Sequence, residues 1–220
     1  MKIAKGSHNL TYIHLSGIFL SLIICILVWY WTRVIWIFSI FFAISVWSIF
    51  VIWTFRNPKR EIIQNSQHIL APADGTITKL TENDKGIYCV IRMSPFDVHM
   101  TRSPIDGEVE SVQFKKGSHW PAYFPNYTDR NQRNTIIINN KEEDIEAVVT
   151  QVSGIFARRT ISYISEEDIV IQGQVIGTIR FGSITSVEII STKKYKLVEP
   201  LPKITRAGIT VLAVQEKDSD

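Results

Sequence analysis

The stretch IGTIRFGSITSVEIIS, residues Ile176 to Ser191, decides how the C-terminal part of this chain is read. Ile, Val and Thr recur through it in short runs, and no charge falls between Arg180 and Glu188, the composition of a buried strand. Gly182-Ser183 interrupts that pattern with a residue that weakens a strand and a residue that carries a nucleophile. A β-bulge is the plain reading, because glycine inside a strand commonly marks one. A nucleophile placed for chemistry is the other. The dipeptide alone does not choose between them.

The sequence around it is also strand-like. GTITKL (75–80), GIYCVIRM (86–93), GEVESVQF (107–114), NTIIINN (134–140), IEAVVTQV (145–152), VIGTIRF (175–181) and GITVLAV (208–214) are short β-branched runs. Many are introduced by Gly or by acidic and Asn turn residues. GIFARRTISYI (154–164) is the best helix candidate, with apolar Ile155, Phe156, Ile161 and Ile164, and SEED from Ser165 reads as a turn. Many short strands with one helix predict an α+β, β-rich single domain over residues 56–220.

Residues 1–55 differ in kind. Between Leu10 and Phe55 the sole formal charge is Arg33, and two apolar runs, 10–30 and 34–53, flank a tight YWTR link. Each run is long enough to cross a hydrocarbon core of about 30 Å at 1.5 Å per residue. Tyr30, Trp31, Trp36 and Trp53 sit near the ends, where amphipathic rings favour the interface. The expectation is a transmembrane hairpin. Lys2, Lys5 and His8 before it, and Arg56, Lys59 and Arg60 after it, place both termini of the hairpin and the following domain in the cytoplasm by the positive-inside rule. A net charge of +3 over 220 residues is far from the basic stripe of a nucleic-acid binder. Cys25 and Cys89 form neither a metal-ligand pattern nor a disulfide framework, and read as small hydrophobes.

Three places can carry chemistry. APADGTI (71–77) holds Asp74-Gly75, a hairpin-turn signal. MSPFDVHMTRSPIDG (93–107) holds His99 within an apolar stretch. Gly182-Ser183 is the third. An Asp, a His and a Ser in separate segments are the inventory of a nucleophile, its base and the base's orienting partner, though any chain of this size offers such triples by chance.

The order PADG, SPFDVHMTRSP-DG, SGIFARR, IRFGS resembles the short form of phosphatidylserine decarboxylase, including archaeal relatives that act on archaetidylserine. The likeness runs from about Arg56, in FRNPKR, to Val214. It implies a proenzyme that cuts its own backbone between Gly182 and Ser183, giving fragments 1–182 and 183–220 that stay together as a heterodimer. Ser183 Oγ would attack the Gly182 carbonyl, and elimination then leaves a pyruvoyl group as the covalent cofactor, with no metal. By the same likeness His99 would take the Ser183 proton and Asp74 would hold the His99 tautomer. The mature enzyme would decarboxylate the serine headgroup of a membrane phospholipid to the ethanolamine headgroup, through a Schiff base to the pyruvoyl carbonyl. Homo-oligomerisation stays open. One departure stands out: long forms carry a second His three residues before His99, where this chain has Phe96. The proton donor of the decarboxylation therefore stays open among His99, water and His119, in KKGSHWPAYF. Arg158 and Arg159 in FARR, with His119, are candidates for contacting the substrate phosphate or carboxylate. A lipoyl-like β-domain would need a lysine at a hairpin tip, and a membrane serine hydrolase would need a G-x-S-x-G elbow or a Ser-Lys pair. Neither stands out.

Overall fold

The computed structural model describes residues 2–3, 8–32, 36–83, 86–121, 127–154, 159–179, 183–200 and 203–216. The chain divides into two compact units, Met1–Pro58 and Lys59–Asp220.

In the first unit, helices α1 (His8–Thr32) and α2 (Trp36–Thr54) pack on each other. The Trp29 ring meets Phe38 edge-on at 6.4 Å between centroids. The two-residue strands β1 (Lys2–Ile3) and β2 (Arg56–Asn57) pair antiparallel, so both ends of the hairpin lie side by side. Thr11–Trp31 and Trp36–Thr54 are long and apolar enough to cross a membrane. Their apolar side chains face outward: Phe19 is 67%, Phe42 69% and Trp47 56% exposed. A helix in a water-soluble core buries such residues, so this surface is suited to an apolar surrounding.

The second unit is β-rich. Its strands are β3 (His68–Leu70), β4 (Gly75–Asn83), β5 (Gly86–Met93), β6 (Met100–Arg102), β7 (Gly107–Lys115), β8 (Arg133–Asn140) and β9 (Ile145–Val152). They continue as β10 (Thr160–Ser162), β11 (Ile169–Val170), β12 (Val175–Ile179), β13 (Ser183–Ser191), β14 (Tyr195–Leu197), β15 (Ile204–Thr205) and β16 (Val211–Gln215). A short helix, α3 (Tyr127–Arg130), precedes β8. Eight strands form one sheet in the order β11-β7-β8-β9-β13-β5-β4-β15, with every pair antiparallel. Two three-stranded sheets, β10-β12-β6 and β14-β16-β3, complete the unit.

Alternation explains the packing. On β8 and β9 the inward positions are Ile136, Ile138, Ala147 and Val149, all fully buried, while the residues between them are partly exposed. Val187 and Ile189 of β13 and Cys89 and Ile91 of β5 continue that face. Each fully buried Ile or Val contributes roughly 1.5–3 kcal/mol. Burial also pushes the Cys89 thiol up to about 12, so it packs as a hydrophobe.

The quoted stretch is two strands, not one interrupted strand. β12 ends at Ile179 in a three-stranded sheet, and β13 begins at Ser183 in the eight-stranded one. β13 pairs in regular register from Ser183 onward, and the expected bulge at Gly182 falls outside the described residues. Two other expectations are corrected. Thr160–Ser162, within the expected helix, is a strand paired with β12, and residues 155–158 lie outside the described residues. Asp74-Gly75 is not a hairpin turn, because β3 and β4 on either side of it belong to different sheets. Gly75 has φ 146°, and a Cβ there would run into the Arg92 carbonyl oxygen, so glycine is required where β4 starts against β5.

Candidate active site

The inward face of the large sheet turns polar at one end. After Ile136, Val149 and Val187 come Asn134, Gln151 and Thr185, each buried and each one inward position further along its strand. Thr185 and Gln151 are direct cross-strand partners. Gln151 Nε2 donates to Thr101 Oγ1 of β6 at 2.8 Å, and Asn134 Nδ2 donates to Gln151 Oε1 at 3.2 Å. Buried polar groups persist when they are bonded in this way. Gly177 of β12 leaves the necessary room, since a Cβ there would lie 2.8 Å from Gln151 Nε2. Ser183, two residues before Thr185, occupies the next position of the same parity.

His99 is 1% exposed and is fixed from both sides. Asp97 closes the turn before it, with its Oδ2 accepting the Ser94 N–H at 2.7 Å. The His99 Nδ1–H then donates to the Asp97 carbonyl at 2.8 Å. A carbonyl only accepts, so the neutral ring keeps its proton on Nδ1 and presents Nε2 as the basic nitrogen. The His99 carbonyl accepts the Ile179 N–H at 3.1 Å and the Thr178 hydroxyl at 2.7 Å.

Two chain segments are thereby tied together at both ends. Met93 is the register partner of Ser183, and His99 is bonded to Ile179. Met93 and His99, the two ends of the segment 93–99, are therefore held to the start of β13 and to the end of β12 respectively.

Asp74 is held by an ion pair and a backbone bond. Its carboxylate receives a bidentate pair from Arg60 at 2.7 and 2.7 Å and the Ala207 N–H at 2.8 Å. Arg60 Nη1 also donates to the Ala207 carbonyl at 2.5 Å. The side chains are 6% and 14% exposed, so this ion pair is largely withdrawn from solvent. The bond that sets the His99 tautomer comes from the Asp97 carbonyl, while Asp74 is turned to Arg60 and to the segment at Ala207. Arg102 stands nearby, with its Nη1 donating to the Gly173 carbonyl at 2.8 Å. Burial first, then the Arg60 guanidinium, lower its pKa, and Asp74 opposes that shift. The Asp74 carboxylate thus acts on both guanidinium groups.

His119 is half-buried, with Nδ1 3.2 Å from Ser153 Oγ. Arg159 is exposed, while Arg158 and Gly182 lie outside the described residues. Phe96 is 68% exposed on the turn before His99. Sequence reasoning missed Arg60, the Asp97 carbonyl and Gln151. Gln151 and Asn134 were readable as polar letters at the inward positions of apolar alternations, whereas nothing local marks Arg60. A cavity of about 420 Å³ lined by Glu82, Ser191 and Lys193 lies at the far end of β13, so it is not this site. Nine strand residues put it roughly 27 Å from Ser183.

The chain is similar in sequence to known proteins along most of its length. A family model for phosphatidylserine decarboxylase matches residues 47–211. A phosphatidylserine decarboxylase proenzyme of Carboxydothermus hydrogenoformans is 34% identical over 171 residues, covering 74% of this chain and 79% of that protein. A protein of Archaeoglobus fulgidus, provisionally named an archaetidylserine decarboxylase proenzyme, is 39% identical over 164 residues, 74% of this chain and 77% of its own length. A protein of Methanococcoides burtonii with the same provisional name is 34% identical over 216 residues, 96% and 95% of the two chains. The span matched by the family model contains Asp74, His99 and Ser183, and the chain belongs to the phosphatidylserine decarboxylase family.

Proposed function

We propose that this chain is a proenzyme that cuts itself between Gly182 and Ser183 and then decarboxylates the serine headgroup of a membrane phospholipid. The observation that carries this reading is the double tie of segment 93–99 to segment 179–183. It fits His99 as the base for the Ser183 hydroxyl. Nε2 takes the hydroxyl proton as Oγ bonds to the Gly182 carbonyl carbon, and it returns that proton to the Ser183 nitrogen as the C–N bond breaks, leaving an ester and a free amine. Glycine at 182 suits this step, since it tolerates the backbone distortion that attack on the preceding carbonyl requires.

A pyruvoyl carbonyl at residue 183 supplies the electron sink for loss of CO₂. The surroundings fit so small a group: Thr185, Gln151 and Ser153 are short or amide side chains, and Gln151 is already satisfied by Thr101 and Asn134. Asp74 acts as a positioning residue, by compensating Arg60 and Arg102 and by holding the chain at Ala207 beside the loop 71–75. Thr205 Oγ1 adds a bond to the Ala73 carbonyl at 2.9 Å. Arg159, exposed after Gly154, is free to meet an anionic headgroup, with Arg158 beside it in sequence.

The substrate is a lipid, and the two apolar helices suit a membrane-held enzyme. Lys2, Lys5, Arg56, Lys59 and Arg60 favour the cytoplasmic side for the catalytic unit. Relatives carry both phosphatidylserine and archaetidylserine in their names, and the headgroup chemistry is common to both. Purified protein supplied with each lipid should release CO₂ from at least one, insensitive to a chelator and abolished by hydroxylamine, a carbonyl reagent. Activity that survives hydroxylamine and disappears with the chelator would replace the pyruvoyl reading with a metal-dependent one.

A further inference from the structure

We propose that His119 is the proton donor of the site formed at residue 183, positioned by Ser153 and Asn131; this rests on the decarboxylase reading above. Loss of CO₂ exchanges a carbon–carbon bond for a carbon–hydrogen bond, so an acid must deliver a proton to the carbon that carried the carboxylate. Around the start of β13, the last register pair with β9 is Ile184 with Val152, and Ser153 is one step beyond it. Ser153 directly follows β9, at the end of the sheet where residue 183 begins β13. Its hydroxyl is the group bonded to the His119 ring, at 3.2 Å from Nδ1. Residue 183 and Ser153 each lie one residue beyond the Ile184–Val152 pair, so the bond to Ser153 holds the His119 ring at the same end of the sheet as residue 183.

This placement is built, not incidental. Asn131 is 1% exposed and spends its whole side chain on it. Its Nδ2 donates to the Trp120 and Ser153 carbonyls, both at 2.8 Å, and its Oδ1 accepts the Trp120 N–H at 2.8 Å. One buried amide thus clamps the residue after His119 to the residue that His119 touches. The backbone adds two bonds: Ser118 N–H to the Arg130 carbonyl at 2.8 Å, and Gln132 N–H to the Ser118 carbonyl at 2.9 Å. At Gly117 a Cβ would sit 2.5 Å from the Arg130 oxygen, so the approach of the two segments excludes a side chain. A loop held this closely to the end of β9 carries its histidine to the polar end of the core.

The step balances simply. The Nε2–H bond of the protonated ring breaks, and the proton joins the carbon through the electron pair that CO₂ leaves behind. The Nδ1–H stays on the ring and donates to the Ser153 hydroxyl oxygen, and a proton from solvent restores Nε2–H before the next turnover. His99 keeps its separate task in cutting the chain.

The test uses full-length His119→Gln and His119→Ala beside the wild type, in lipid vesicles made in D₂O. Both variants should be cut into 1–182 and 183–220 as the wild type is, read by intact mass. Decarboxylation should fall about 10²–10³-fold in kcat, the range for loss of a general acid, with KM little changed. Wild-type enzyme should place deuterium in the ethanolamine headgroup with a single handedness, and His119→Ala should give both. Added imidazole should partly restore the His119→Ala rate. Ser153→Ala should lose handedness in part, and Ser153→Thr, which keeps the hydroxyl, should recover it. A full rate with single handedness in both His119 variants overturns the proposal. So does failure of both to be cut, which would assign His119 to processing or to the fold. A wild type that is uncut and inactive on either lipid defeats the decarboxylase reading itself, a result distinct from both.

Discussion

In the proposed cutting reaction His99 and Asp74 have separate tasks. The Asp97 carbonyl fixes the proton of the His99 ring, and Asp74 neutralises the buried cations beside it. His99→Ala should therefore remain uncut, one band on a denaturing gel, while still folding with a melting point lowered by the lost buried ring and its hydrogen bond, a cost of about 1–3 kcal/mol. Complete cutting by His99→Ala would return this histidine to a packing role. Arg60→Ala and Asp74→Asn should behave differently. Each leaves a largely buried charge without its partner, a loss of about 3–5 kcal/mol, so both should lower the unfolding midpoint as well as slow cutting. Slow cutting with an unchanged midpoint would show instead that Asp74 acts on the reaction alone.

At the scale of elements, the long strands were legible because one face of each is buried. Alternation marks β5, β8 and β9 in the sequence, and their structural bounds are 86–93, 133–140 and 145–152. The short strands were not legible. Two or three residues such as β6, β11 and β15 carry no period, and only pairing with a distant partner makes them strands. Thr160–Ser162 read as helix because Ile161 and Ile164 fit a helical spacing, and pairing with β12 overrides that spacing. Likewise, 208–214 begins as a turn with Gly208 at φ 72°, and the strand starts at Val211. Of the candidate site, the Ser and His were visible as motifs; Arg60 was not, since its partner lies 14 residues away across a bend. The polar end of the core is itself testable. Gln151→Ala strips bonding partners from buried Thr101 and Asn134 and should cost about 1–3 kcal/mol in urea unfolding.

A second element-scale test concerns the Glu143–Lys193 bridge, 2.6 Å long, which joins the β8–β9 turn to the residues after β13. The Lys193 hydrogen bond, then one from Ser66, holds the Glu143 carboxyl below its ordinary 4.5. A depressed carboxyl pKa stabilises the fold above the ordinary value, and that contribution is lost as pH falls through the folded-state value. Lys193→Met should thus lower the urea midpoint at pH 7 and converge on wild type in acid. The bridge is about a third exposed, so the difference should stay under about 1 kcal/mol. An equal gap at all pH values would assign the effect to packing.

For the whole molecule, the position of β13 sets the fate of a cut chain. β13 is bonded along its length to β5 on one side and β9 on the other, and both belong to residues 1–182. Fragment 183–220 would therefore supply a central strand of the large sheet, and it also supplies β14, β15 and β16. The two fragments should co-elute in native buffer and separate only in denaturant; release of 183–220 under native conditions would contradict this placement. Because base and bond lie in one chain, cutting should be first order and independent of protein concentration. The most direct measurement is intact mass spectrometry of freshly purified, active protein under denaturing conditions. The expected result is two species, 1–182 ending at Gly182 and 183–220, with the second lighter than a seryl N-terminus by the loss of ammonia and reducible by borohydride. A single uncut chain with full decarboxylase activity would contradict it.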